Sequence, residues 1–392
     1  MRSVYAPLWL AVFAAFGCGS SGIPKVPPTL SVSPNCPVVK VLLGEADKVE
    51  ITGEVEFVAV CGGKRQKFRG GQKVVASAKE GNVVLGSLTG ERVVVEGAFD
   101  GTLKVFGLHW RGKLVLVAAG VKVRVINEVA VESYLVGVVG REMGAGFSPE
   151  ALAAQAIAAR TYALWMMRRR RNRQFHLTRR PNTQAYGGVE AESPSVRQAV
   201  RATSGLVLTY KGKIFPAFYH AICGGMTSSA AFVFGSPVYG TTPDGDGPLD
   251  GGVICTFCDE TAPPHRLHWT LLLTQNDAVN LLEKAGHRVG QVNDIIPTDS
   301  DSAQRHRTVI FRTDKGDIKM STATLRRLLS YRLHSSLFSV RKKGKDFVIT
   351  GRGWGHGVGL CQWGAEGMAR LTYSCAQILQ TYYPNSKLKR LW

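Results

Sequence analysis

The sequence predicts an α+β fold in which strands predominate, and three observations support this. Short β-branched runs, most of them separated by glycines, fill residues 41–130. The chain has 392 residues, and its 44 glycines often interrupt apolar segments, which favours short strands and tight turns. One long alanine-rich segment, in contrast, has the start and end signals of a helix. With 45% hydrophobic and 20% charged residues, the composition is that of a folded globular protein.

The first 18 residues predict an exported protein. Arg2 precedes the apolar segment Leu8–Phe16, which is too short to span a bilayer comfortably. The small residues Ala15 and Gly17 then lead to Cys18. We expect Cys18 to become the lipidated first residue of the mature protein, with ordinary signal cleavage nearby as the alternative. The predicted location is therefore the cell envelope, on the periplasmic or outer side, with membrane contact through the lipid anchor.

The rest of the chain divides into three predicted regions. Residues 19–40 are rich in proline and serine and are typical of a tether, residues 41–126 form a β-rich N-terminal lobe, and residues 127–392 contain the candidate functional residues. Ser148 is a suitable N-cap for the alanine-rich helix, because Pro149 then takes the first helical position. Further helices are predicted at 190–204, 276–285, 321–331 and 375–383.

The net charge of +20 predicts a polyanionic partner. Seven arginines lie between Arg168 and Arg180, so the charge is also clustered. Export argues against nucleic acid, and cell-wall polymers or anionic lipid head groups are then the natural counter-charges. A solvated helix end followed by a loop is the alternative interpretation of the same cluster.

Glu142 is the candidate acid/base residue. It lies about six residues before the N-cap of the alanine-rich helix, in a predicted turn crowded with small and apolar residues. A carboxyl group in an apolar pocket keeps its proton to higher pH, and the cleavage of a glycosidic bond needs such a proton donor. A surface glutamate in a loop would produce the same local pattern.

Two polar residues, Gln155 and Arg160, lie inside the alanine-rich helix. The small side chains around them predict burial on more than one face of this helix. A buried arginine needs either a carboxylate or a ligand as its partner. A structural ion pair and a substrate-binding role therefore both remain open for Arg160.

The segment Gly351–Ala365 has glycine at alternate positions over much of its length. Such glycines allow positive φ and close approach of the backbone to a neighbour or a ligand. Their spacing does not match that of a dinucleotide-binding loop, which argues against a nucleotide site. Trp354, His356 and Gln362 provide stacking and polar groups that suit a sugar site, and a purely structural turn is the alternative.

The chain has eight cysteines, of which seven remain if Cys18 is lipidated or removed. Cys255 and Cys258 have the two-residue gap of a zinc-binding pair, and the site could be completed by Cys223 and His220, or by His265 and His268. A disulfide between two of these cysteines is the alternative. The sequence thus predicts that no cofactor is required, although these residues could bind zinc. A metal-dependent hydrolase centred on them is a weaker functional hypothesis.

Two blocks of the sequence resemble the SpoIID/LytB family. Residues 127–162 contain Glu-x-Tyr-Leu-x-Gly-Val-Val-x-x-Glu-Met and Ala-Gln-Ala-x-Ala-Ala-Arg-Thr-Tyr-Ala. Residues 351–365 contain Gly-His-Gly-Val-Gly-x-x-Gln-Trp-Gly-Ala. Weaker matches follow the family order, so the resemblance runs from about residue 95 to the C-terminus. The N-terminal lobe before that point and the arginine cluster have no counterpart in this resemblance.

The resemblance implies a peptidoglycan lytic transglycosylase that acts on glycan strands stripped of stem peptides. It implies that Glu142 acts as general acid and then as general base, and that Arg160 lies in the substrate groove. One carboxylate is enough if the 6-hydroxyl of the muramic acid attacks, whereas attack by water would make the enzyme a muramidase. The family also includes amidase enhancers, so a non-catalytic wall-binding protein that recruits or stimulates an amidase is the rival expectation.

The chain departs from the family at one place. Some relatives have histidine and cysteine metal ligands in the stretch that leads to the Gln-x-Tyr-x-Gly block. His176 is present here, but residues 182–184 contain no cysteine. A metal is therefore not expected at that place.

Overall fold

The computed structural model describes residues 33–98, 101–236 and 238–392. The predicted signal segment, including Cys18, lies outside the described residues. The predicted class is confirmed in its coarse form, because the fold is mixed and rich in strands. Within the described residues, no helix is long and apolar enough to cross a membrane.

Twelve strands joined by turns account for most of the described residues from Val38 to Ala130. In β1 (Val38–Ala46), Val39, Val41 and Leu43 are buried at alternate positions, which is the pattern of a strand with one face on a core. The following strands are β2 (Lys48–Gly53), β3 (Phe57–Cys61), β4 (Lys64–Phe68), β5 (Val74–Lys79), β6 (Asn82–Leu85), β7 (Leu88–Gly90), β8 (Arg92–Gly97), β9 (Leu103–Val105), β10 (Leu108–Trp110), β11 (Lys113–Ala119) and β12 (Lys122–Ala130).

These strands form two sheets whose buried faces share one core. The first sheet has the order β13-β1-β12-β11-β8-β3-β4, where β13 is Leu177–Thr178, and the second has the order β10-β9-β2-β5-β6-β7. β1 begins inside the range predicted as a tether, because it pairs with β12 from Val38 onward. Turn-like residues before a strand do not reveal where its pairing starts.

Helix α1 (Val131–Glu142) follows β12 directly and was not predicted. Its valines and glycines have low helix propensity, so the local sequence does not indicate a helix. Burial of residues around the helix, including Tyr134, Leu135 and Val138, stabilises it through tertiary packing. The predicted turn at Glu142 is therefore wrong: Glu142 is the last residue of α1.

Helix α2 (Pro149–Arg169) lies at the centre of the helical layer. Most of its alanines are buried, and the helix contacts α1, α3 (Pro194–Ala202), α9 (Gln362–Arg370), α10 (Cys375–Tyr382) and β14 (Leu206–Tyr210). Ser148 occupies the N-cap position, but its side chain makes no cap bond. Its N–H and hydroxyl instead donate to the Glu366 carboxylate at 2.7 and 3.1 Å, so a side chain from α9 satisfies the start of α2.

The C-terminal half alternates short strands and helices. Helices α7 (Gln275–Lys284), α8 (Thr322–Leu328) and α10 lie where helices were predicted, whereas α9 was not predicted. The other elements are β15 (Lys213–Ile214), β16 (Tyr219–His220), α4 (Ala230–Phe234), α5 (Phe257–Thr261), α6 (Pro264–Leu267), β17 (His268–Leu273), β18 (Val292–Ser300), β19 (His306–Thr313), β20 (Gly316–Ser321), β21 (Phe338–Lys343), β22 (Asp346–Arg352), β23 (Leu360–Cys361) and β24 (Lys387–Arg390).

The described residues contain two large hydrophobic cores. The first extends from Val39 to Tyr383 and includes the N-terminal sheets as well as α1 and α2. The second is formed between Trp269 and Ile349, by β17–β22 with α7 and α8. The N-terminal lobe is thus continuous with the helical region, and the predicted boundary between residues 126 and 127 lies inside β12.

Candidate functional site

The close approach of one loop to α1 positions Glu142. A Cβ atom at Gly140 would overlap the carbonyl oxygen of Ala191, so only glycine lets the segment 185–191 lie this near the helix. That segment supplies the N–H of Ala185, which donates to Oε1 of Glu142 at 2.8 Å. The glycines of the Gly-Val-Val-Gly block therefore help to place a backbone donor on the candidate acid.

Burial raises the pKa of Glu142 above its ordinary value of 4.5. Hydrogen bonds from the Ala185 N–H and the Gln362 side chain, together with the charge of Arg141, lower the pKa by less than burial raises it. The carboxyl group also lies at the C-terminal end of α1, where the helix dipole disfavours negative charge. None of the ion pairs found among the described residues involves Glu142. The site can therefore hold a proton on this carboxyl group.

A chain of amides continues from Glu142 into the protein. Nε2 of Gln362 lies 3.5 Å from Oε1 of Gln155, and both glutamines are buried. The Gln155 Nε2 group has no hydrogen-bond partner among the described atoms. Two predicted site residues thus meet behind Glu142, but Gln155 is fully buried and does not present its amide to the surface.

Two tyrosines that were not predicted also surround Glu142. The hydroxyl of Tyr134 donates to Oε1 of Gln184 at 3.1 Å, and Nε2 of Gln184 lies 2.9 Å from the Tyr219 hydroxyl. Burial, and less strongly the charge of Glu142, raises the pKa of both tyrosines, so they remain protonated hydroxyls. Tyr134 lies in the Glu-x-Tyr-Leu stretch and Gln184 begins the Gln-x-Tyr-x-Gly block of the family resemblance, but neither was predicted as a site residue.

The structure places Arg160 in the protein interior. Its guanidinium is fully buried and makes two hydrogen bonds to Glu132, at 3.0 and 2.7 Å, with a further bond to the carbonyl of Leu206 at 3.0 Å. A buried arginine with these partners is not accessible to a polymeric substrate. The predicted groove role of Arg160 does not agree with this geometry, whereas the structural ion pair does.

The glycine-rich segment takes the conformation predicted for it. Gly353, Gly355, Gly357 and Gly359 have φ angles of 79°, 111°, 82° and 68°. At Gly359, a Cβ atom would overlap the Phe218 carbonyl oxygen. The turns thus depend on glycine at these positions, as expected if the segment has a structural role.

His356 and Trp354 have different surroundings within this segment. Nδ1 of His356 accepts the N–H of Val358 at 3.0 Å, and burial lowers the pKa of His356 to about 3, so the ring is neutral near pH 7. Its partners are those of a structural histidine. Trp354 is exposed and stacks on His334, with ring centroids 3.8 Å apart. Only Trp354 of this pair offers the exposed aromatic surface that a sugar site uses.

Four buried cysteines converge below the glycine-rich segment. The Sγ atoms of Cys223, Cys255, Cys258 and Cys361 all lie within 4.8 Å of one another, and none is in a disulfide. His220 was predicted as the fourth member, but neither of its ring nitrogens belongs to the cluster of potential ligand atoms. Cys361 takes that place instead. It lies 103 residues after Cys258, and sequence spacing gives no indication of such a distant ligand.

Arginines line a cavity of about 380 Å³ beside the Ala185 segment. Arg141, Arg179 and Arg180 contribute to its wall, together with Ala185 and Tyr186. The predicted arginine cluster is divided by the fold, since Arg168 and Arg171 line a different cavity next to the C-terminus. Part of the basic cluster thus lies close to the candidate acid.

His176 does not form a metal site with its neighbours. Its Nδ1 accepts the N–H of Lys40 at 3.1 Å, and its carbonyl accepts from Arg170. Among the described residues, the cluster of potential metal ligands is the four-cysteine group, which excludes His176. Around His176, the described residues therefore form no candidate metal site.

Comparisons with known proteins agree with the blocks identified in the sequence. A family model described as Stage II sporulation protein matches residues 119–210. An uncharacterized protein of Brachyspira hyodysenteriae is 36% identical over 280 residues, which cover 71% of this chain and 71% of that protein. The Stage II sporulation protein D of Bacillus amyloliquefaciens is 27% identical, covering 66% of this chain and 74% of the relative. The chain belongs to the SpoIID/LytB family.

The amidase enhancer of Bacillus subtilis is a further SpoIID/LytB relative, at 28% identity over 294 residues. The match covers 65% of this chain but only 40% of the enhancer, so much of that protein has no counterpart here. Membership of the family supports a function related to the cell wall.

The family match contains the parts that position Glu142. Residues 119–210 run from the end of β11 to β14 and include α1, α2 and the Ala185 segment. A second model, for a domain of unknown function named DUF8618, matches residues 259–359. This match covers the second hydrophobic core and the start of the glycine-rich segment. The second core thus coincides with a sequence unit of its own within this SpoIID/LytB chain.

Proposed function

We propose that this protein cleaves the glycan strands of peptidoglycan, with Glu142 as the acid/base residue. The observation that carries the proposal is the partly buried Glu142 carboxyl group, whose pKa is raised by burial and which forms no ion pair among the described residues. A carboxyl group in this state can donate a proton to a leaving oxygen near neutral pH.

The proposed reaction needs one carboxyl group. Protonated Glu142 gives its proton to the bridging oxygen between MurNAc and GlcNAc as the bond from C1 of MurNAc to that oxygen breaks. The Glu142 carboxylate then takes the proton of the MurNAc 6-hydroxyl as that oxygen bonds to C1, which closes a 1,6-anhydro ring and restores the acid. If water attacks C1 instead, the product is a reducing end, as with a muramidase.

The arginine-lined cavity favours an anionic substrate. A MurNAc residue that has lost its stem peptide exposes a lactyl carboxylate, and Arg141, Arg179 and Arg180 are available to bind such groups in the cavity that Ala185 also lines. The net charge of +20 also attracts an anionic polymer at long range. We therefore propose peptide-stripped strands as the preferred substrate, with exposed Trp354 as a stacking surface for sugar rings. A lipid anchor at Cys18 would keep the enzyme at the envelope near this polymer.

Digestion of purified, peptide-free glycan tests the proposal. Wild-type protein should release fragments with anhydro or reducing ends, distinguished by mass spectrometry, and Glu142→Gln should release almost none. Glu283→Gln is the matched control, because Glu283 is exposed on α7 in the second core and should cut like the wild type. No product from folded wild type, or equal product from Glu142→Gln, would contradict the enzyme proposal.

The amidase enhancer relative favours a second function, in which the chain binds the wall and stimulates an N-acetylmuramoyl-L-alanine amidase without cutting. Intact peptidoglycan digested by such an amidase, with and without this protein, separates the two. Stimulation that is equal for the wild type and Glu142→Gln, in the absence of glycan products, would favour this second function.

A further inference from the structure

We propose that Cys223, Cys255, Cys258 and Cys361 bind one zinc ion, which ties together three separate segments of the first hydrophobic core. This proposal does not depend on glycan cleavage, because none of the four cysteines takes part in the proposed reaction. The four Sγ atoms lie within 4.8 Å of one another, and the Sγ atoms of Cys223 and Cys258 are 3.5 Å apart. In a tetrahedral site with zinc–sulfur bonds of about 2.3 Å, the sulfur–sulfur edges are about 3.8 Å. The cluster therefore has the size of a zinc site.

The four cysteines are all buried, which defines the kind of site. Four thiolates complete a tetrahedral zinc shell and leave no position open for water or substrate. The site is therefore structural, and its binding free energy adds to the stability of the fold.

Hydrogen bonds to the sulfur atoms match those that thiolate ligands receive. The N–H groups of Cys223 and Gly364 donate to Sγ of Cys361 at 3.2 and 3.4 Å, and the N–H of Gly225 donates to Sγ of Cys223 at 3.4 Å. Sγ of Cys255 lies 3.0 Å from the Tyr382 hydroxyl. Such donors orient metal ligands and stabilise their negative charge. At Gly364 a Cβ atom would overlap the Tyr382 hydroxyl and crowd Sγ of Cys255, so the glycine of the Gln-Trp-Gly block keeps this shell open.

A buried arginine supplies part of the compensating charge. A zinc ion with four thiolates carries two net negative charges, which a protein interior tolerates only near a cation. Arg305, in the turn before β19, is fully buried and donates to the carbonyls of Cys223 and Gly355. No ion pair of Arg305 is found among the described residues. At Gly357, a Cβ atom would overlap this guanidinium, so the glycine-rich segment makes room for it.

The ligands come from separate parts of the chain. Cys223 follows β16, Cys255 and Cys258 lie at the start of α5, and Cys361 is the N-cap of α9. Arg305 reaches the cluster from the second core. A metal at this place therefore ties three segments of the first core together and holds the start of α9, where Gln362 begins the amide chain behind Glu142.

Metal analysis of the full chain, purified without added zinc, tests the proposal. We expect about one zinc per chain by mass spectrometry of the metal, with loss of the zinc in Cys361→Ser and in Cys258→Ser. His220→Gln should keep the zinc, since His220 is not a member of the four-cysteine cluster. Cys61→Ser, outside the cluster, is the matched cysteine control and should also keep it.

Thiol labelling of the wild type makes the test independent of variants that fail to fold. In the native protein the four cysteines should resist alkylation, and a chelator with denaturant should make all four reactive without any reductant. A requirement for reductant would mean disulfides and would overturn the proposal. Iron in place of zinc, loss of zinc in His220→Gln with retention in Cys361→Ser, or metal-free folded wild type would overturn it as well.

Discussion

Two glutamates on α1 have opposite surroundings, although only ten positions separate them. The carboxylate of Glu132, near the start of the helix, accepts two bonds from Arg160, one from the Gly205 N–H at 3.0 Å and one from the Ser204 hydroxyl at 3.2 Å. Glu142, at the end, is in no ion pair among the described residues, and burial raises its pKa. The residue type and the helix are the same, so the difference comes from what the rest of the fold supplies to each end.

This contrast shows how one helix can serve both stability and chemistry. In the Glu132–Arg160 pair, both charged groups are bonded to other protein groups, and the pair links α1 to α2. The Glu142 carboxyl group keeps the capacity to exchange a proton. Matched glutamate-to-glutamine substitutions at the two positions therefore should affect different measurements.

Glu142→Gln should have the largest effect, on activity. Loss of a general acid typically lowers the rate by about 10²–10⁴-fold. We expect this decrease in the initial rate of product formation on peptide-free glycan, with little change in the midpoint of thermal unfolding. A rate within threefold of the wild type would remove Glu142 from the mechanism.

Glu132→Gln should lower stability instead. Removal of one partner of a buried ion pair leaves the other charge uncompensated, which costs about 3–5 kcal/mol. Urea unfolding should show this loss. The double variant Glu132→Leu with Arg160→Met should lose less than Glu132→Gln, because no buried charge then remains; a larger loss would mean that the pair contributes net stability.

Gly140→Ala should disturb the placement of Glu142. The added methyl group meets the Ala191 carbonyl, and overpacking of this kind costs about 1–3 kcal/mol. The same shift should move the Ala185 N–H from Glu142 and reduce glycan cleavage. Gly146→Ala is the control, since a Cβ atom there has no neighbour within 4 Å; equal behaviour of the two variants would contradict this role of Gly140.

Glu142→Gln and the wild type should also differ in how their stability depends on pH, and this effect should be smaller than those above. Because the folded pKa of Glu142 is raised above 4.5, the folded protein binds more protons than the unfolded chain in the interval between the two values. The stabilising contribution is complete below pH 4.5 and is lost as the pH rises through the raised pKa. We expect Glu142→Gln to lose less stability than the wild type over that interval in unfolding at a series of pH values. Parallel curves for the two proteins would contradict the raised pKa.

Arg180→Gln should have the smallest effect, on substrate binding. A single exposed ion pair is worth about 0.2–1 kcal/mol, which corresponds to less than about sixfold in affinity. The loss should appear with peptide-stripped glycan and decrease at high salt. Arg327→Gln, on exposed α8, should bind like the wild type; an equal loss in both variants would point to net charge rather than to the cavity.

Local patterns predicted the elements whose stability is local. Buried residues alternate along β1, α2 has a proline at its first helical position, and the glycines at 353–359 adopt positive φ as their spacing indicated. The pattern around Glu142 failed because the valines and glycines of α1 do not favour a helix, and only packing on several sides of α1 stabilises it. Likewise, the buried Ala-rich helix predicted that Arg160 needed a partner without identifying Glu132.

By itself, the sequence determined the strand-rich class, the alanine-rich helix, the family and the candidacy of Glu142. Tertiary structure alone decided that Glu142 ends a helix, that Arg160 pairs with Glu132, and that Cys361 replaces His220 in the cysteine cluster. The physical reason is the distance along the chain over which the interactions act. Caps, alternation and glycine conformations depend on neighbours in the chain, whereas the partner of a buried charge and the members of a metal site are groups brought together across many residues by packing.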